Sequence, residues 1–202
     1  MNKYFALLTL CFSSLSFAAE ELEVLVSPQM IAKKLQETAK EINKNYQGES
    51  ITIIMVMKGA ICLTSDLIRN LKIPVTLEYV QANTYGDEHG PGGKVRLTGI
   101  EKLKVKGKNI LIVDDVLDSG NTLSAIIKVL KEKHPKSLKS LVLFSKKTRD
   151  QTVYYPDFEL FNMNALMKKF PDDDKNRVVV GYGIDYNGHY RELPGLYILE
   201  EK

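Results

Sequence analysis

The sequence predicts an α/β fold, a doubly wound and mostly parallel sheet, from two observations. Apolar runs of strand length, at residues 51–57 and 110–113, show no polar alternation, as expected of strands covered on both faces. Between them lie stretches with apolar residues at three- and four-residue spacing, so strands alternate with helices. In sheets of this kind ligands gather at the carboxyl ends of the strands.

The first residues are of a different kind. Lys3 supplies a positive start, Tyr4 to Phe12 is an apolar run of signal-peptide length, and Ser16-Phe17-Ala18 is a small-x-small cleavage site. The run is too short for a permanent membrane span. We therefore expect a signal peptide over 1–18 and one domain over 19–202, with export to the periplasm or medium and no stable membrane anchor after cleavage. Cleavage would remove the single charge of Lys3 and take the formal net charge from +3 to +2, which is no nucleic-acid footprint. It would also remove Cys11 and leave Cys62, so no internal disulfide would form and the fold would rest on its apolar core.

Along the domain, Ser27-Pro28 reads as an N-cap followed by proline at the first helical position. Ile31, Leu35, Ala39, Ile42 and Tyr46 continue that helix, and Gly48 ends it. A strand over 51–57 leads through the turn Lys58-Gly59-Ala60 to a helix over 61–70, and a strand follows over 74–81. Residues 84–93 carry Gly86, Gly90, Gly92, Gly93 and Pro91, with Tyr85 as the one apolar anchor, and are expected to form a mobile loop. A strand over 110–113, a helix over 122–133 and a strand over 138–144 come next. Residues 153–174 are mixed, and strands are expected over 177–183 and 197–199.

The stretch Asn109 to Leu123, NILIVDDVLDSGNTL, carries the most chemistry. A buried strand delivers Asp114 and Asp115 to the sheet edge, Asp118 follows, and Ser119-Gly120-Asn121-Thr122 opens a helix. Free N–H groups at a helix start hold phosphate, and carboxylates suit hydroxyls and Mg²⁺. Capping needs only one acid, and three would repel one another unless a cation or a hydroxyl-rich group sat among them. Together these features suit a sugar phosphate.

The segment resembles the phosphoribosyl-pyrophosphate-binding signature of type I phosphoribosyltransferases, and within that superfamily the hypoxanthine-guanine branch. The rest of the chain supports the match in order, from about Val24 to Glu200. The resemblance implies the type I phosphoribosyltransferase fold, with a small hood subdomain and a mobile active-site loop. It implies transfer of a phosphoribosyl group from phosphoribosyl pyrophosphate to a 6-oxopurine base, with Mg²⁺ as cofactor and a homodimer or homotetramer as the assembly.

The resemblance also implies roles. Lys58-Gly59 would be the pyrophosphate loop, where a non-proline cis peptide often occurs, and Arg191 would contact the same group. Thr84-Tyr85 would open the loop that closes over the site, with Thr in place of the usual Ser. Asp114 and Asp115 would hold the ribose hydroxyls and, through them, the metal. Asp118 would lie near the purine N7 as a general base, and Ser119, Gly120, Asn121 and Thr122 would cradle the 5′-phosphate. Lys146 would bond the purine 6-oxo group, selecting hypoxanthine or guanine over adenine, since two donors would otherwise face each other. Asp185, in Val179-Val180-Gly181-Tyr182-Gly183-Ile184-Asp185, would bind the Mg²⁺ that carries pyrophosphate and also border the purine, and the Val180 backbone would meet the purine edge.

Two departures bear on the base. Val178 stands where the family places an aromatic residue, which removes a stacking contribution of roughly 1–3 kcal/mol. Residues 160–176 exceed the matching family segment. Phe161, Met163, Leu166, Met167 and Phe170 suggest an added amphipathic helix there: a surface insertion, a lid over the base, or a subunit contact. Competing functions are transfer to a different base, and a nucleotide-binding or exported interaction protein without salvage activity. Phosphoribosyl pyrophosphate is a cytosolic metabolite, so the leader and the expected substrate point to different compartments.

Overall fold

The computed structural model describes residues 22–85, 94–146, 154–168 and 177–200. Strand β1 (Glu23–Val26) leads into α1 (Pro28–Asn45). Ser27 caps α1 by accepting from the Met30 N–H at 3.3 Å, with Pro28 in the first turn, where its missing N–H costs nothing. Ile31, Leu35, Ala39 and Ile42 form its buried stripe. β2 (Ile51–Met57), α2 (Ile61–Asn70), β3 (Val75–Tyr85) and β4 (Lys94–Thr98) follow. Next come β5 (Asn109–Leu117), α3 (Asn121–Lys131), β6 (Ser137–Ser145), β7 (Phe158–Asn162), α4 (Met163–Met167), β8 (Arg177–Val180) and β9 (Leu196–Glu200).

Six strands form the central sheet in the order β4-β3-β2-β5-β6-β7, parallel except for β4. Its two faces are covered separately. Ile51, Ile53, Leu111, Val113, Leu141 and Leu143 pack with α1 and α2, while Ile54, Val56, Ile110, Ile112 and Val142 pack with Leu123, Ile126, Ile127 and Leu130 of α3. Alternate residues of each central strand thus enter opposite apolar layers, which is why these runs are apolar throughout. A second, antiparallel sheet, β1-β9-β8, forms the hood. Val26, Leu196 and Ile198 join it to the core layer under α1.

The sheet is clamped at the amino ends of its strands. Buried Asn109 donates to Glu49 Oε2 at 2.6 Å and to the Ser50 carbonyl at 3.2 Å, and accepts from Ser137 Oγ at 2.8 Å. A fully paired amide there ties the start of β5 to the segments entering β2 and β6. The carboxyl ends are left for the ligand-facing turns.

Several boundaries differ from the sequence reading. β3 extends through Tyr85, because β4, absent from that reading, pairs Tyr85 with Lys94 and Ala82 with Leu97. The remainder of the expected mobile loop, 86–93, lies outside the described residues. β5 runs past Val113 to Leu117, so Asp114 and Asp115 belong to the strand itself: β6 continues to pair with it through Leu117 and Ser145. The expected strand over 177–183 stops at Val180, where Gly181 turns the chain with φ +98°. The amphipathic helix expected within 160–176 is a correction of another kind. Phe158, Leu160 and Phe161 are buried in β7, and among the described residues of 160–176, which end at Lys168, Met163–Met167 is helical, started by Asn162, whose side chain accepts from Ala165 N–H at 3.2 Å. Met163 is buried and Leu166 and Met167 pack on the core, so this turn extends the interior. Residues 1–21, which contain the expected signal peptide, and Phe170 lie outside the described residues.

Candidate active site

Three turns converge on one glycine. After β2 the chain passes through Lys58-Gly59-Ala60 into α2, and the Met57–Lys58 peptide is cis. A Cβ added to Gly59 would lie 1.7 Å from Asp115 Oδ2. A Cβ added to Gly183 would lie 2.1 Å from the Gly59 carbonyl oxygen. The first contact joins the β2 turn to the acids of β5. The second joins it to the loop between β8 and β9. Hydrogen alone fits at both points, so residues distant in sequence form one surface.

Asp114 and Asp115 sit side by side at the end of β5. Asp115 N–H donates to Asp114 Oδ1 at 3.0 Å, and Val116 N–H to Asp115 Oδ1 at 2.9 Å. Asp114 is buried. Desolvation first, and the adjacent Asp115 charge second, hold its carboxyl well above the usual carboxylate range. A buried acid beside a second acid is a poor arrangement for an empty protein and a good one for hydroxyls or a cation.

Asp118 to Leu123 complete a polar pocket of about 180 Å³, lined from Asp114 through Ser119, Gly120, Asn121 and Thr122. Gly120 precedes α3 with φ +76°, a left-handed conformation that glycine adopts without strain. The Gly120 cap of α3 has no side chain to bond the helix start, Ser119 Oγ accepts from Asn121 N–H at 3.4 Å, and the first residues of α3, Asn121 and Thr122, line this pocket. The pocket matches a phosphate in polarity and in its helix-start donors.

The loop after β8 carries the cationic part. Arg191 pairs with Asp185 at 2.5 Å and donates to the Gly183 carbonyl at 2.5 Å, and Asp185 Oδ2 also accepts from Gly188 N–H at 2.8 Å. The sequence reading gave Asp185 and Arg191 separate roles; the structure makes them partners. Tyr182, at φ +49°, is held by its hydroxyl donating to Asp66 Oδ2 at 2.9 Å on α2. Burial first, and the Asp66 carboxylate second, push that hydroxyl well above its usual range and keep it a donor. Tyr182 and Asp66 were not singled out in the sequence, although the Gly-Tyr-Gly run was a local signal of unusual backbone.

Lys146 follows β6 and is exposed, with its N–H bonded to the Leu117 carbonyl at 2.8 Å, so the expected base-recognition turn abuts the acid turn. Val178 is partly buried in β8, and Val180 is fully buried. Thr84 and Tyr85 end β3, but their side chains are outside the described part. Among the described residues no three His, Cys, Asp or Glu side chains gather as a metal site. The adjacent carboxylates of Asp114 and Asp115 on β5 are the kind of donors that suit Mg²⁺ held by one or two carboxylates, with a substrate's oxygens and water completing its shell.

The Asp114 environment has a measurable consequence. A carboxyl whose pKa is raised by folding stabilises the fold fully below its ordinary value, 3.8, and loses that contribution as pH rises through the folded value. Asp114→Asn should therefore raise the melting temperature of the ligand-free protein at pH 8 by about 2–4 °C. The gain should shrink as pH falls towards 3.8. A thermal-unfolding series over pH checks this, and a variant less stable than wild type at pH 8 would contradict it.

A sequence profile of the phosphoribosyl transferase domain matches residues 23–186. The hypoxanthine-guanine phosphoribosyltransferase of Aquifex aeolicus is 32% identical over 183 residues, covering 90% of this chain and 97% of that protein. That of Bacillus subtilis is 32% identical over 178 residues, covering 88% and 93%. Among solved structures, a hypoxanthine-guanine phosphoribosyltransferase of Bacillus anthracis superposes with TM-score 0.75 at 29% identity, covering 89% of this chain and 99% of that one. The Trypanosoma cruzi hypoxanthine phosphoribosyltransferase in complex with the product IMP superposes equally well, with TM-score 0.75 at 28% identity. With the parallel sheet, the hood and the acid–phosphate turn in the same chain, these matches place it in the hypoxanthine-guanine phosphoribosyltransferase family.

Proposed function

We propose that the protein is a purine-salvage enzyme. It transfers the 5-phosphoribosyl group of phosphoribosyl pyrophosphate to N9 of a 6-oxopurine (hypoxanthine, with guanine and xanthine as the other candidate bases) and releases pyrophosphate. The observation that carries this reading is the helix-start pocket of about 180 Å³ lined by Asp114, whose neighbour on β5 is Asp115: a phosphate site beside a diol site. An interaction protein without chemistry has no need of a buried Asp114 whose carboxyl is held above the usual carboxylate range beside a second acid.

In this reading Ser119, Gly120, Asn121 and Thr122 hold the 5′-phosphate, and Asp114 and Asp115 take the ribose hydroxyls. Lys58, the Gly59 backbone and Arg191 face the pyrophosphate. Mg²⁺ held by the substrate, with Asp185 and the Asp114–Asp115 pair as protein donors, supplies charge neutralisation to the leaving group. As the C1–oxygen bond breaks, positive charge grows on the ribose beside the acids of β5, which favours that transition state. Asp118 takes the proton at the purine N7 edge. Lys146 donates to the 6-oxo group, the Val180 backbone meets the purine edge, and Val178 presents an aliphatic face. Thr84 and Tyr85 begin the loop that closes over the site and excludes water.

Asp118→Asn should lower turnover with hypoxanthine by about 10²-fold or more, with little change in melting temperature. A panel of hypoxanthine, guanine, xanthine, adenine and uracil with phosphoribosyl pyrophosphate, read by pyrophosphate release, checks the assignment. Turnover of adenine or uracil alone would overturn the 6-oxopurine reading, and unchanged hypoxanthine turnover in the variant would overturn the role of Asp118.

We also propose that residues 1–18 are an export signal and that the protein acts outside the cytosol as a homodimer or homotetramer. Support comes from the ordered triad of Lys3, the Tyr4–Phe12 run and Ser16-Phe17-Ala18. For assembly it comes from Leu77 and Tyr79, about half exposed on the sheet face that carries α2. Native and denaturing mass spectrometry of the protein recovered from cell fractions reads both points. The expected species is an exported chain beginning at Ala19 in a dimer or tetramer, and a full-length cytosolic monomer contradicts the proposal.

A further inference from the structure

Ser145 stands out in its strand. Leu141, Val142, Leu143 and Phe144 before it are all buried and apolar, and Ser145, 2% exposed, is the polar residue that ends the run. It is the point where three carboxyl ends meet: its register partner on β5 is Leu117, and on β7 it is Asn162. The next residue is Lys146, whose N–H is fixed on the Leu117 carbonyl at 2.8 Å.

The Ser145 hydroxyl is held from both sides. Its Oγ donates to Glu159 Oε2 and accepts from Asn162 Nδ2 at 3.5 Å. Glu159 lies in β7 among buried Phe158, Leu160 and Phe161, and Asn162 is the residue whose Oδ1 caps α4. A buried hydroxyl with a carboxylate acceptor on one side and an amide donor on the other is held in place by those bonds, because a charge-assisted bond is the stronger kind and an unpaired hydroxyl there is costly. Packing alone would be served by an apolar residue.

We infer that Glu159 and Ser145 are positioning residues for Lys146. They pin the backbone at the carboxyl end of β6, so that the lysine is presented to the 6-oxo group of the base, and Asn162 ties α4 to the same point. Discrimination at the base edge is thereby linked to the segment after β7. This rests on the reading of Lys146 as the base contact.

Steady-state KM values for hypoxanthine and for phosphoribosyl pyrophosphate, with melting temperatures, test it on Glu159→Ala, Glu159→Gln, Ser145→Ala and Lys146→Ala. Glu159→Ala and Ser145→Ala should raise the hypoxanthine KM about five- to tenfold while the phosphoribosyl pyrophosphate KM stays within about twofold. Glu159→Gln, whose amide oxygen accepts the same bond, should stay within about twofold of wild type on both. Glu159 is exposed, so its variants keep the test open if Ser145→Ala folds poorly. An unchanged hypoxanthine KM in Glu159→Ala, or an equal rise in both KM values, overturns the proposal. Lys146→Ala separates the two levels. If it raises the hypoxanthine KM and Glu159→Ala does not, the positioning role alone fails. If it leaves the hypoxanthine KM unchanged, the assignment of Lys146 to the base fails and takes the proposal with it.

Discussion

The candidate site depends on the contact between the Asp115 carboxylate and Gly59. The turn after β2 and the end of β5 each occupy space that a single methyl group would fill. Gly183 makes the same kind of approach to the Gly59 carbonyl from the loop after β8. Through these two contacts Lys58, the acid pair and the Asp185–Arg191 pair are brought onto one surface, although they arise from three different parts of the chain. The parallel sheet makes this possible by placing the carboxyl ends of β2 and β5 next to each other. The hood makes it complete by carrying β8 and its loop over them.

The electrostatics of that surface work against the empty protein. Asp114 is buried next to a second acid and is held above the usual carboxylate range. Tyr182 has a left-handed backbone, a strained conformation for a non-glycine residue, and a hydroxyl–carboxylate bond to α2 holds its side chain. Features of this kind cluster where a ligand, rather than the fold, needs them. Stability comes from elsewhere: from the two apolar layers on the faces of the central sheet, and from the paired Asn109 at its amino edge.

Much of the fold was legible because its physics is local. β2 and β5 are covered on both faces, and that burial writes itself as uninterrupted apolar residues. α1 announces itself by Ser27-Pro28, and α2 matched its expected span. β4 and β7 are edge strands, half polar and short, and the pairing that defines them is set by neighbours distant in sequence. In the site, the acids, the small-residue turn and Lys58 could each be named from residue type and position. The pairing of Asp185 with Arg191, the Tyr182–Asp66 bond and the Ser145–Glu159 bond could not, because each joins side chains that only the fold brings together. The segment after β7 misled for a related reason. Alternating strand residues running directly into a capped helical turn imitate one amphipathic helix.

The central claim is that the Gly59–Asp115 approach assembles the phosphoribosyl half of the site. Calorimetric titration of phosphoribosyl pyrophosphate with Mg²⁺ into the wild-type protein and Gly59→Ala tests it most directly. The added methyl meets the far end of the Asp115 side chain, which can swing aside, so the fold is expected to persist while the carboxylate leaves its place. The account predicts a variant that melts within about 5 °C of wild type and binds at least about tenfold more weakly. Equal affinity in the two proteins would contradict it.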